Sequence, residues 1–225
     1  MANMESKNTV RVEQQNMNWV TFEGDPQGSP RVMIVGNSVT RHQPLAEIGW
    51  HNDWGMAASA KERDYAHLIF SHVLEKHPHA AFCIVQAAVW ERTYESPNYD
   101  EHFAAALGFH PDVIITAISA NISADRFDHD TFIRQMGGLH RYLSDGATPR
   151  IIQGTSFFDN EDKSSAIRDY IVSVGGDAVE LSDLCHAEEN LAIGKFEHEG
   201  IQHHPGDLGM RRIADRFIAV LDEYI

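Results

Sequence analysis

Two alternating periods of apolar positions run along most of the chain. Val32–Val35 is a short continuous apolar run ending at Gly36, the pattern of a strand buried on both faces. Beyond it, Tyr65, Leu68, Ile69 and Val73 stand at helical spacing up to Pro78, and Ser59 with Glu62 forms a capping box ahead of them. Phe82–Val85 predicts a second strand and Asp112–Ile118 a third, preceded by a short helix around Phe103–Leu107. Phe132, Met136, Leu139 and Leu143 give the next amphipathic face, which Gly137 and Gly138 weaken. Ile151–Gly154 and Ala178–Leu181 predict strands four and five, with Ile167, Tyr170, Ile171 and Val174 on a helix between them. A stripe of Met210, Ile213, Ala214, Phe217, Ile218 and Leu221 closes the chain as a last helix.

Before residue 30 the pattern is β-like instead. Val10 and Val12 alternate with polar residues, Trp19–Phe22 is a second β-prone run, and Gly24, Asp25, Pro26, Gly28 and Pro30 mark a loop. No internal repeat or interdomain linker interrupts the chain beyond this loop. Strands alternating with helices imply a parallel sheet covered on both faces. The expectation is an α/β protein: a three-layer α/β/α sandwich with a five-stranded parallel sheet in the flavodoxin-like order 2-1-3-4-5. Residues 1–225 are read as one domain, with residues 1–30 as a β-like N-terminal extension.

Composition narrows the class of function. Forty-three per cent apolar and 23 per cent charged residues exclude wholesale disorder. Eighteen Lys plus Arg against 33 Asp plus Glu give a net charge of −15, which argues against nucleic acid or an anionic membrane as partner. No run approaches the roughly 18 apolar residues of a membrane span, and residues 1–28 contain no apolar signal-peptide core. Cys83 and Cys185 are the two cysteines and form no C-x-x-C pair. A cytoplasmic protein with reduced thiols is the expectation, and a homo-oligomer is compatible with it.

Four positions fall where one active site can form. Val35-Gly36-Asn37-Ser38-Val39-Thr40 puts a serine on the turn leaving the first parallel strand, close to the G-x-S-x-G nucleophile elbow but with Thr40 in place of the second glycine. A turn residue or helix cap is the plainer role for Ser38. Asn121 leaves the third strand at the same sheet edge, and its amide suits an oxyanion hole, as it suits an Asx-turn. A backbone N–H near Gly55 is the other candidate donor; a positive φ is the alternative reason for that glycine. Near the last helix, Glu197-His198-Glu199-Gly200-Ile201-Gln202-His203-His204-Pro205-Gly206-Asp207 can return a histidine to the edge as general base to Ser38.

Taken in order, these blocks resemble the SGNH/GDSL hydrolase superfamily. Gly36-Asn37-Ser38-Val39-Thr40 resembles its first block, with Asn37 for the usual aspartate. Trp54-Gly55-Met56-Ala57 resembles the glycine block, and Ser119-Ala120-Asn121 the G-x-N block, with Ser119 for its glycine. His204-Pro205-Gly206-Asp207-Leu208-Gly209-Met210 resembles the histidine block. The resemblance spans about residues 31–220. It implies a serine esterase without cofactor, in which Ser38 is the nucleophile and His204 the base. Backbone N–H groups of Ser38 and Gly55, with Asn121, would form the oxyanion hole. The aspartate expected three positions before the histidine is absent, because Ile201 stands there. Glu199 is the candidate orienter, with Glu197 or a backbone carbonyl as alternatives; His203 is the alternative base.

Short-chain acyl esters are the expected substrates, with O-acetyl groups on carbohydrate as a specific case. Trp50 and Trp54 beside Gly55, and Trp90-Glu91-Arg92 after the second parallel strand, offer stacking and hydroxyl-binding groups at a pocket rim. Two rival classes stand beside the esterase. A non-catalytic carbohydrate-binding protein would use the same tryptophans. A loop-borne metal site would gather His198, His203 and His204, although Gln202 breaks the H-E-x-x-H pattern and no metal is expected.

Overall fold

A computed structural model describes residues 19–225. The β-like Val10–Val12 run lies outside the described residues. The chain forms β1 (Val20–Gly24), β2 (Arg31–Gly36), α1 (Tyr65–Lys76), β3 (Ala81–Gln86), α2 (Ala88–Thr93), α3 (Tyr99–Phe103) and β4 (Val113–Ala117). It continues with α4 (His129–Ser144), β5 (Arg150–Gly154), α5 (Glu161–Val174), β6 (Asp177–Val179), α6 (Glu199–Gln202) and α7 (Asp207–Leu221).

The sheet has six strands in the order β1-β3-β2-β4-β5-β6, not the expected five; the added edge strand changes the overall order, within which the five parallel strands β3-β2-β4-β5-β6 keep the relative order 2-1-3-4-5. The added strand is β1, which pairs antiparallel with β3, Val20 opposite Val85. The remaining pairs are parallel. The Trp19–Phe22 run therefore belongs to the sheet instead of standing apart as an extension. An antiparallel strand on the edge of a parallel sheet is common, and a half-exposed edge strand gives a weak apolar signal.

Period two sends alternate residues of β2 to opposite faces. Val32 and Ile34 join a core formed with α1 and α7, including Tyr65, Ile69, Met210 and Phe217. Met33 and Val35 join a second core under α2, α4 and α5, including Trp90, Phe132, Leu139 and Ile167. With both faces covered, the strands read as continuous apolar runs. Helix α1 starts at Tyr65, capped by Asp64, whose side chain accepts from the His67 N–H. The Ser59–Glu62 capping box is thus displaced: Ser59 instead donates its N–H and hydroxyl to Asp207. No helix among the described residues is long and apolar enough to cross a membrane.

Register decides what meets at the carboxyl edge. Gly36 lies opposite Gln86 on one side and Ala117 on the other. The turns leaving β2, β3 and β4 therefore emerge side by side. Asn37 and Ser38 follow β2, Glu91 stands on α2 shortly after β3, and Ser119 to Asn121 follow β4.

Candidate active site

The turn after β2 is tight. Thr40 and Arg41 both donate their N–H to the Asn37 carbonyl, each at 3.0 Å, and Asn37 Oδ1 accepts from the Val39 N–H at 3.1 Å. A Cβ on Gly36 would lie 1.6 Å from Thr40 Oγ1, so only glycine lets the turn close. The turn leaves Ser38 half-buried between buried neighbours.

His204 arrives on the loop before α7. One-turn helix α6 ends just ahead of it, and the His204 carbonyl accepts from Ala192 at 3.0 Å while Gly206 donates to Asn190 at 2.9 Å. Ile201 is buried against a small cluster with Trp50, Met56, Ala57 and Ala192. The position where an aspartate was expected thus anchors the loop by packing.

Ser38 Oγ lies 2.8 Å from His204 Nε2. On the far side of the ring, His204 Nδ1 lies 2.8 Å from the Gly200 carbonyl. A carbonyl only accepts, so the proton sits on Nδ1 and Nε2 presents its lone pair to the serine hydroxyl. Burial lowers the His204 pKa to about 4, with the Gly200 bond pulling the other way and His42, His198 and His203 adding to the depression. The imidazole is neutral at pH 7, as a proton acceptor must be.

Several expected roles are corrected. Glu199 does not reach His204. Its side chain is exposed, and its backbone carbonyl accepts from His203 Nδ1 at 2.9 Å. His203 is thus turned to its own helical turn, and His204 is the histidine at Ser38. Gly55 sits beside the serine turn, since Met56 donates its N–H to the Ser38 carbonyl at 2.8 Å. Yet the Gly55 N–H is itself donated to Asp64 Oδ2 at 2.9 Å, so it is committed to a structural bond. A Cβ there would come within 2.6 Å of the Val39 carbonyl, so close approach explains this glycine; the positive φ belongs to Ala57, at 77°.

Asn121 is half-buried at the same edge, with Nδ2 donating to Glu91 Oε2. A primary amide carries two N–H donors, so one remains for a ligand. Ser119, where the resembling block has glycine, holds φ at 127°. That region is rarely occupied by side-chain-bearing residues and costs about 1–3 kcal/mol. Ser119 Oγ is buried without a hydrogen-bond partner.

The tryptophans divide. Trp50 and Trp90 are fully buried, Trp50 donating Nε1 to the His42 carbonyl at 2.9 Å and Trp90 packing on Tyr94 and Phe132. Trp90 is therefore a core residue and not a substrate platform. Trp54 keeps a half-buried ring, edge-on to Trp50. Glu91 is buried too, and is no rim group for sugar hydroxyls. Among the described residues no group of three His, Cys, Asp or Glu side chains is placed to hold a metal.

A small cavity of about 20 Å³ flanks the serine turn, lined in part by Asn37, Val39, Ser119, Phe157 and Phe158. The ring of Phe158, one of its lining residues, stands edge-on to His204 at 5.9 Å.

No protein-family model and no curated protein sequence matches the chain. Solved structures do. A two-domain esterase active on acetylated mannans matches with a TM-score of 0.53 and 13% identity, over 86% of this chain and 48% of that one. A family two carbohydrate esterase from Cellvibrio japonicus matches with a TM-score of 0.53 and 16% identity, over 88% of this chain and 62% of that one. A lipase/acylhydrolase from Enterococcus faecalis matches with a TM-score of 0.53 and 10% identity, over 86% and 95%. The chain thus spans less than two thirds of the length of the first two of these structures. At this level of identity the likeness is one of fold, which the chain shares with these two esterases and the lipase/acylhydrolase.

Proposed function

We propose that this chain is a serine esterase of the SGNH type that hydrolyses short-chain acyl esters, O-acetylated carbohydrate among them. One observation carries the reading: Ser38 Oγ, His204 Nε2, His204 Nδ1 and the Gly200 carbonyl stand in one hydrogen-bonded line, with 2.8 Å at each bond. Ser38 Oγ attacks the ester carbonyl while His204 Nε2 takes its proton. The tetrahedral oxyanion is held by the Ser38 N–H and the second N–H of Asn121 Nδ2. Collapse expels the alkoxide, which His204 protonates. Water then attacks the acyl-serine with His204 again as base, releasing the acid and restoring Ser38.

The Gly200 carbonyl replaces a carboxylate as orienter. It fixes the same tautomer and bonds the imidazolium once it forms, but brings a dipole in place of a full charge. The function is therefore that of a dyad.

The neighbours named as acting on acetylated mannans and as carbohydrate esterases support short acyl groups. Half-exposed Trp54 is the aromatic left for stacking on a sugar, since Trp50 and Trp90 are buried. The carbohydrate-binding alternative thus rests on one ring of the three.

A panel of acyl esters with chains from acetyl to long, including acetylated saccharides, tests the substrate; preference for long chains would sink the short-acyl reading. For the chemistry, folded Ser38→Ala is expected to lose turnover by at least about 10³-fold. A fluorophosphonate is expected to label Ser38 in the wild type and to fail in His204→Ala. Wild-type turnover by Ser38→Ala would overturn the assignment.

A further inference from the structure

Among the buried charged side chains that the mechanism leaves unused, one touches two of the motif blocks. Glu91, on α2, is 1% exposed. Its Oε1 accepts from Asn37 Nδ2 at 3.1 Å and from the Ser119 N–H, and its Oε2 accepts from Asn121 Nδ2. Three N–H donors converging on two oxygens is the bonding pattern of an ionised carboxylate, which accepts and does not donate. Such charge-assisted bonds are roughly twice as strong as neutral ones.

Each donor matters to the site. Asn37 precedes Ser38 and steers the serine turn through its other amide atom, Oδ1, on the Val39 N–H. Ser119 opens the turn that ends at Asn121 and holds a φ of 127°. Lys163 Nζ grips the same turn from the other side, bonding the Ser119 carbonyl at 3.0 Å and the Ile122 carbonyl. Ser119, the strained residue, is thus held at its N–H by the Glu91 carboxylate and at its C=O by Lys163 Nζ. Asn37 fits this arrangement because it donates. An aspartate at 37 would set a second carboxylate against Glu91.

We propose that Glu91 is a positioning residue for the oxyanion hole: one buried carboxylate fixes the Asn121 amide and ties its turn to the one that carries Ser38. Glu91 touches no substrate in this scheme and acts through Asn121. The inference rests on the serine-esterase reading, in which Asn121 stabilises charge that develops only in the transition state. Its signature is therefore a fall in kcat with KM held, because a donor aimed at the oxyanion binds the ground state little.

Steady-state hydrolysis of p-nitrophenyl acetate tests it, with Glu91→Gln, Asn121→Ala, the double variant and Ser38→Ala, each checked for folding by thermal unfolding. In Glu91→Gln an amide NH₂ faces one of the three donors, so the Asn121 amide is turned aside. A misplacement on the scale of 1 Å lowers the rate about 10²-fold, and loss of the donor itself about 10²–10³-fold. Glu91→Gln is expected to lower kcat by about 10–10²-fold with KM within about twofold. The double variant is expected to be no more than about threefold worse than Asn121→Ala, because the two residues act as a unit. Should Glu91→Gln fail to fold, Glu91→Asp keeps the charge while falling short of three donors, and the same kcat loss and non-additivity are read from it. Wild-type kcat in the Glu91 variant, a change in KM alone, or losses that multiply in the double variant would overturn the inference. Ser38→Ala keeps the two readings apart: inactive Ser38→Ala beside an unimpaired Glu91 variant overturns the positioning role alone, whereas active Ser38→Ala overturns the esterase reading as well.

Discussion

At the residue scale, the chemistry depends on an imidazole kept neutral without a carboxylate partner. Burial holds the His204 pKa near 4, so the base is unprotonated through the whole mildly acidic range. In kcat/KM, the acid limb of a general-base mechanism reports the pKa of the free enzyme. Short assays on the wild type are expected to show kcat/KM level from pH 8 to about 5, then falling with an apparent pKa near 4. A limb near the ordinary histidine value of about 6.5 would mean that the ring is solvated or carboxylate-paired in solution. His203 bonds its own helical turn, so folded His203→Ala is expected to keep turnover within about threefold while His204→Ala loses it. Equal losses in both would remove the distinction between the adjacent rings. Ser38, Asn121 and His204 were legible in the sequence because each is a polar residue just past a strand or just before a helix. Glu91 was not, because hydrogen-bond convergence has no period; its cue was only a carboxylate next to a buried-type tryptophan at the end of a strand.

At the scale of elements, the sequence was most legible where burial imposes a period and least where one side chain decides a boundary. The runs Val32–Val35 and Phe82–Val85 fall within β2 and β3 because both faces of those strands are covered. Strand β1 was visible only as a β-prone run, since four of its five residues are exposed or half-exposed and nothing local specifies its partner. The start of α1 moved from the Ser59 capping box to Asp64, and the glycine-block reading of Gly55 lost its donor to the same carboxylate. Asp64 caps α1 through the His67 N–H, bonds His67 Nδ1 at 2.7 Å and takes the Gly55 N–H at 2.9 Å. One side chain thereby joins the α1 terminus to the loop that backs the serine turn. Losing a cap alone costs about 1 kcal/mol, and stranding a buried charge partner adds to it. Asp64→Ala is expected to destabilise by about 2–4 kcal/mol, read as a lower urea midpoint at unchanged slope. A midpoint equal to wild type would show that the Asp64 bonds carry no net stability.

At the scale of the whole molecule, several buried titrating groups have opposite signs, and together they place the stability optimum. His140 is buried between Thr116 and Tyr170, and burial lowers its pKa to about 3; His204 is lowered to about 4. Both take up protons more readily unfolded, where histidine titrates near 6.5, about its ordinary value. Their contribution is complete above that pH and is lost as pH falls toward 4 and then 3. Glu23 acts in the same direction at lower pH. Burial works against its ionisation, but the bonds to His67 and Lys61 prevail and lower its pKa to about 2, so its contribution is lost as pH falls from 4.5 through that value. His67 runs the other way. Burial opposes its charge, yet Asp64 and Glu23 on its two ring nitrogens raise its pKa to about 9. Its stabilisation is complete below about 6.5 and is lost as pH rises through 9. The two limbs meet where unfolded histidine titrates. Thermal unfolding is therefore expected to give a highest Tm between about pH 6 and 7, with a decline on each side. Folded His67→Gln, which cannot be charged, is expected to lose stability at pH 6.5 and to flatten the alkaline decline up to pH 9; it also shrinks the part of the acid limb that Glu23 contributes, because the bond to His67 is the largest of those lowering the Glu23 pKa, while the His140 and His204 part stays. An alkaline limb of wild-type slope in that variant would show that groups other than the Asp64–His67–Glu23 triad set it.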